Sequence, residues 1–292
     1  MTTRRIPGRL LAVAFCLVWA PLLQGQKLCF WKVAGESNTV YLLGSIHFLK
    51  EDFYPLPKPI ESAFEQAQTV VFETDLGQME DPQTQMKMLM MGACPPGKTL
   101  RDFVSEETYG LLKEHLGAQT AVFDRFKPWF AAVALVALEI QKLGFNPEQG
   151  VDRHYYKRAL KAGKKTAGLE TVEFQMDLFK NLSDKDQEQF LNESIKETGQ
   201  IRTMFTDITA AWSSGDVAKL EAQLLAAMKE YPDLEKKFMT ERNHAWVPQI
   251  EQYLKQTEPV LFVVGAGHLV GRESVVELLR KRGFKVEQQE NK

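Results

Sequence analysis

Two apolar runs near opposite ends of the chain finish in the same way. TVYLLGSIH covers residues 39–47 and PVLFVVGAGH covers residues 259–268. Both are continuously apolar, the mark of a strand buried on both faces, as in the parallel sheets of α/β proteins. Each then gives Gly, two residues and His: Gly44 to His47, and Gly265 to His268. With 5 histidines and 19 glycines in 292 residues, two such spacings, each behind an apolar strand, exceed chance placement. Open α/β sheets place their sites beyond the carboxyl ends of the strands. Glycine permits a sharp exit from a strand, and imidazole can ligate a metal or move protons near neutral pH. The plain alternative is two satisfied histidines at strand ends. If the two strands are neighbours, both ends of the chain build one sheet.

The rest of the pattern agrees with that layout. CFWKVAG from Cys29 predicts a strand joined to TVYLLGSIH by a hairpin loop at Gly35–Asn38. A helix, IESAFEQAQ, precedes the buried-strand run TVVFETD, and KKTAGLE is a further short strand. The stretch 80–116 reads as helix in two pieces, split at Cys94-Pro95-Pro96-Gly97, and a long helix follows from about Asp124 to Leu143 with Pro128 in its first turn. GVDRHYYKRALKAG is another short helix, with Asp152 as its cap. Residues 171–256 are almost all helical, after which the second apolar strand, a helix and FKVEQQ finish the chain. The order predicts an α/β fold: a mostly parallel sheet formed from both ends of the chain, flanked by helices, with a long helical insertion over about 171–256.

Carboxylates end two of these strands. Glu73 closes VVFETD, with Asp75 two residues on, and Glu170 closes KKTAGLE. Any one of them can be a helix cap or a solvated end. Together with His47 and His268 they form a candidate divalent-metal set or acid/base set. Arg242, in the helical segment Glu241-Arg242-Asn243-His244, either binds a substrate carboxylate or stabilises a developing oxyanion, or is part of a solvated helix face. HExxH, GxSxG, the P-loop and GxGxxG are all absent from the sequence, which removes the hydrolase, nucleotide and dinucleotide classes they mark.

Charge is uneven along the chain. The net charge is −2, from 36 cations and 38 anions, too little positive excess for a broad nucleic-acid surface. Residues 1–26 hold three arginines and no acid, so the remaining 33 cations and 38 anions leave −5. Arg4, Arg5 and Arg9 precede fourteen uncharged residues, LLAVAFCLVWAPLL, too few to span a bilayer. That pattern predicts a secretory signal peptide over 1–26, with residues 27–292 as the working domain in the periplasm or outside the cell. An uncleaved inner-membrane anchor is the alternative. Cys29 and Cys94 then remain as a pair in an oxidising compartment, which suggests one disulfide.

The segments TVYLLGSIHFL, VVFETDL, FKPWFAAVAL, GVDRHYYKRA, GLETVEFQMDLF, ERNHAW and LFVVGAGHLVG together resemble the TraB/GumN family, related to the pheromone-shutdown and Tiki proteins. The likeness spans about Cys29 to Val286. It implies a fold like that of erythromycin esterase and the ChaN haem-binding proteins, and a metal-dependent peptidase activity of the Tiki kind. By motif, His47 and His268 are the paired histidines, Glu73 is the strand-end glutamate, Arg242 and Asn243 belong to the ERN segment, and Glu170 to the GLET segment. The implied reading is an exported hydrolase on a peptide or protein substrate, with a divalent ion on His47, Glu73 and His268. Two alternatives stand beside it: a metal-free esterase-like hydrolase using a histidine base, and a binding protein that sequesters a peptide signal, haem or metal.

Overall fold

A computed structural model describes residues 25–225 and 232–291. Almost all of the leader predicted over 1–26 lies outside them. Six strands form one sheet: β1 (Gln26–Ala34), β2 (Thr39–Ser45), β3 (Thr69–Thr74), β4 (Lys165–Glu170), β5 (Val260–Gly265) and β6 (Lys285–Asn291). Their spatial order is β4-β3-β5-β2-β1-β6. The pairs β2–β5, β3–β5 and β3–β4 are parallel; β1 pairs antiparallel with β2 and with β6. The mostly parallel α/β sheet built from both chain ends is therefore observed. The two runs that end in Gly-x-x-His, β2 and β5, are direct neighbours, with Ser45 in register with Gly265.

Burial explains the strand patterns. Every residue of β5 is buried, because the strand sits in the middle of the sheet with helices over both faces. β6, at an edge, buries only Val286 among charged and amide residues. β1 begins at Gln26, whose side chain donates to Ser213 O, so the sheet takes in the last residue assigned to the leader.

The helices are α1 (Lys58–Gln66), α2 (Leu76–Glu80), α3 (Pro82–Gly92), α4 (Glu106–Leu116), α5 (Thr120–Phe123), α6 (Pro128–Lys142) and α7 (Val151–Lys161). After β4 come α8 (Val172–Lys180), α9 (Asp184–Glu197), α10 (Ile201–Ser214), α11 (Val217–Leu225), α12 (Pro232–Glu235), a π-helical turn (Lys236–Thr240) and α13 (Glu241–Leu254). The helix α14 (Val275–Lys281) links β5 to β6. Starts follow the local chemistry: Asp81, Ser105, Thr171, Ser183 and Ser274 each accept a hydrogen bond from a first-turn N–H, and Pro128 opens α6 where its missing N–H costs nothing. Two apolar cores result among the described residues. The larger one joins the sheet to α1, α7, α10, α13 and α14; the smaller one packs α6 against α4 and α9. Among the described residues no helix is long and apolar enough to cross a membrane.

The predicted Cys29–Cys94 bridge is corrected: both are free thiols. Cys29 is buried within β1, its sulfur packed so tightly over Gly44 that a side chain there would run into it. Burial pushes its thiol well above the ordinary range, against the pull of a Gly44 backbone hydrogen bond. Cys94 belongs to the loop after α3, where its N–H donates to Arg125 O beside the smaller core. Alkylation of the folded protein without reductant should therefore label Cys94 and spare Cys29, with both labelled after unfolding. Peptide mapping in which Cys94 reacts only after reduction would contradict the free-thiol assignment.

Candidate functional site

The topology brings four strand ends to one edge. β2, β3, β4 and β5 are mutually parallel, so His47, Glu73, Glu170 and His268 all emerge on the same side of the sheet. Arg242 and Asn243 reach the same place from the first turn of α13. These six residues, all singled out from the sequence, belong to this edge; Asp75, singled out with them, does not.

Glu73 is the hub. Its Oε1 accepts the Gly265 N–H at 2.6 Å, and its Oε2 accepts from Arg242 Nη2 at 2.7 Å and Gln175 Nε2 at 3.1 Å. A Cβ at Gly265 would stand 2.8 Å from Glu73 Oε1, so only glycine admits that approach. Glu170 accepts from Arg242 Nε at 3.1 and 3.0 Å, from Arg242 Nη2 at 2.9 Å and from Trp246 Nε1 at 2.8 Å. The guanidinium also lies 4.9 Å from the centre of the Trp246 ring. Arg242 is only 7 % exposed, so it belongs to a buried ion cluster and the solvated-face alternative is set aside.

His268 is buried, and its tautomer follows from its partners. Asn243 Nδ2 donates to Glu273 O at 2.8 Å, which turns Oδ1 towards the ring; Oδ1 then accepts from His268 Nδ1 at 2.6 Å. His268 Nε2 is left as an acceptor and faces Arg242 Nη1 at 3.0 Å. Burial pushes the imidazole pKa down to about 3, with Arg242 and His47 adding to the shift against the pull of Glu73. His268 is therefore neutral. Burial works to raise Glu73, but Arg242, the charged His47 ring and the Gly265 N–H outweigh it and hold the carboxyl far below its ordinary range.

His47 differs from His268. Its ring is 55 % exposed at the mouth of the site, and Nδ1 donates to Asp152 Oδ2 at 3.1 Å. Asp152 in turn accepts from Ser45 Oγ at 3.1 Å and returns its own N–H to that hydroxyl at 3.3 Å. The Asp152 charge raises His47 to about 9; the hydrogen bond and Glu73 add to this, while desolvation and Arg242 oppose it. Asp152→Asn should bring the His47 titration back towards 6.5, followed by its imidazole NMR signals. The raised pKa makes the pair stabilising below about 6.5, with that contribution lost as pH rises through about 9. A midpoint that stays near 9 in the variant would show that another group charges the ring.

A cavity of about 340 Å3 opens onto this edge, lined by His47, Glu73, Asp152 and Gln175 together with apolar groups such as Phe72 and Met79. Arg242 and His268 do not line it; they lie behind Glu73. Two residues of the site escaped the sequence reading. Asp152 looked like a helix cap, but Gly150 takes that position, and the close approach of Gly150 to His47 O sets Asp152 beside the ring. Gln175 follows Glu170 by five residues and ties both glutamates together, with nothing in its spacing to mark it. Conversely, Asp75 turns away and caps α2.

A profile of the TraB/PrgY/gumN family matches residues 29–288. The chain belongs to this family. Proteins with which it aligns include YbaP of Escherichia coli K12, 24% identical over 82% of this chain and 87% of that protein. An uncharacterized protein of Treponema pallidum is 22% identical over 89% of this chain and 82% of its own length. The zebrafish protein named metalloprotease TIKI2 is 22% identical over 85% of this chain and 58% of its own length. No solved structure matches the chain.

The metal set predicted on His47, Glu73 and His268 is only partly formed. Glu73 Oε1 and His268 Nε2 lie 3.9 Å apart, but His268 Nε2 faces the Arg242 guanidinium. Among the described residues no group of three or more His, Cys, Asp or Glu is placed to hold a metal ion. As arranged, the three residues do not fit one.

Proposed function

We propose that this family member is a hydrolase acting on a peptide or protein substrate, with the scissile group seated in the cavity between His47 and Glu73. The observation that carries the reading is that both side chains face one cavity, each held by dedicated partners. The His47 ring, charged at neutral pH, donates from Nε2 to the developing oxyanion or the leaving group. Glu73 and Gln175 orient the attacking water, whose released proton restores the one His47 gave up; Arg242, behind Glu73, keeps that carboxylate ionised and fixed. Asp152 fixes the His47 tautomer and Asn243 that of His268.

The name metalloprotease borne by the TIKI2 relative supports a second version, in which a divalent ion assists the same hydrolysis. His47 and Glu73 are the residues facing the cavity that would hold it. The leader-like residues 1–26 support a periplasmic or secreted place of action, with anchorage in the inner membrane as the variant of that reading.

The test is turnover of a defined peptide mixture by the purified chain, read by mass spectrometry, with and without a strong chelator. Cleavage that His47→Ala abolishes supports the hydrolase, and chelator sensitivity selects the metal-assisted version. Peptide or haem binding with no cleavage under either condition would overturn it in favour of a sequestering protein.

A further inference from the structure

Both histidines of the site are presented as ligands of a cation usually are. Each gives its Nδ1–H to an acceptor that fixes the ring, Asp152 for His47 and Asn243 for His268, and each turns Nε2 to the site, bare on His268 and bearing on His47 a proton that an ion would displace. In metal centres such second partners orient the imidazole and raise its basicity. Glu73 supplies carboxylate oxygens between them. What His268 Nε2 and Glu73 Oε2 meet, however, is one and the same guanidinium, at 3.0 and 2.7 Å.

We propose that Arg242 is a resident cation that occupies the position a divalent ion would take on His268 and Glu73, so the ligand set closes around an ion only when the guanidinium leaves His268. The anchors of Arg242 are unequal. Towards Glu170 it makes three charge-assisted contacts and stacks on Trp246, whereas its Nη1 is shared between His268 Nε2 and the Phe238 carbonyl at 3.1 Å. Nη1 is thus the end that can be given up while the rest of the side chain stays in place. Phe238 itself lies in the π-helical turn, a backbone register found mostly as single turns and often at functional sites. The inference concerns ion binding alone and holds whatever reaction the site performs.

Cobalt(II) titration of the full chain tests it, read by visible absorption and calorimetry. Arg242→Gln removes the charge and keeps an amide donor for Glu170. It is expected to bind Co2+ at least about 10-fold more tightly than the wild type, and adding His268→Ala should remove the gain. Equal or weaker binding by folded Arg242→Gln, or a gain that survives His268→Ala, overturns the proposal. Should that variant fail to fold, the wild type decides. On Zn2+ addition the 15N signal of His268 Nε2 should stay in place while that of His47 moves; both shifting in step would overturn the proposal.

Discussion

Arg242→Leu is expected to lower the free energy of unfolding by about 3–5 kcal/mol, the usual cost of removing one partner from a buried ion cluster. The leucine fills much of the volume but leaves Glu73 and Glu170 facing each other with Gln175 as their shared donor. Glu170→Gln in the same background should recover part of the loss, since it removes one of the two uncompensated charges. Urea denaturation measures both. A loss under about 1 kcal/mol for Arg242→Leu would mean that the carboxylates find other partners and that the arginine does not hold the buried cluster together. The pH behaviour has a fixed sign. Glu73 is depressed in the folded state, so its contribution is full above its ordinary value of 4.5 and is lost as pH falls below that.

His47→Ala carries the opposite signature. Turnover should fall by about 10²–10⁴-fold, the range for losing a positioned proton donor. Stability should fall by much less than for Arg242→Leu, because the ring is more than half exposed and only its ion pair with Asp152 is lost. Comparison of kcat/KM with the melting temperature for this variant and for Arg242→Leu separates a residue that touches substrate from one that acts through Glu73. A His47→Ala protein with unchanged kcat/KM would remove His47 from the reaction.

Much of this edge was legible in the sequence because strands announce their ends. A continuous apolar run stops where the chain leaves the sheet, and the residue types just beyond it, here Gly-x-x-His and Glu, show what the fold sets on that edge. The parallel pairing of β2 with β5 then follows from two equivalent runs needing a shared, fully buried interior. Helical contributors are harder to see. Arg242 and Asn243 stand in a segment with a polar, amphipathic pattern, and only the tertiary packing of α13 on the sheet buries them. Asp152 was hidden by an ordinary rule: an acid near a helix start most simply caps it, and here the cap is a glycine and the acid serves a histidine 105 positions away. The disulfide failed for a related reason. Cysteine count and compartment speak to chemistry, whereas bridging depends on where two side chains point, and Cys29 points into the packing against Gly44.

The central place of β5 bears on how the molecule is assembled in time. β5 is the fifth strand to be made, yet it separates β2 from β3 in space. Until residue 260 is available, the hairpin of β1 and β2 and the pair β3–β4 share no edge, and each exposes an apolar strand with unpaired backbone groups. A nascent or truncated chain lacking its last 33 residues would therefore be two unjoined half-sheets, a species prone to aggregation rather than a slightly shortened protein. The same late insertion sets Glu73 against the Gly265 amide, so the carboxylate gains its backbone anchor in the step that completes the sheet.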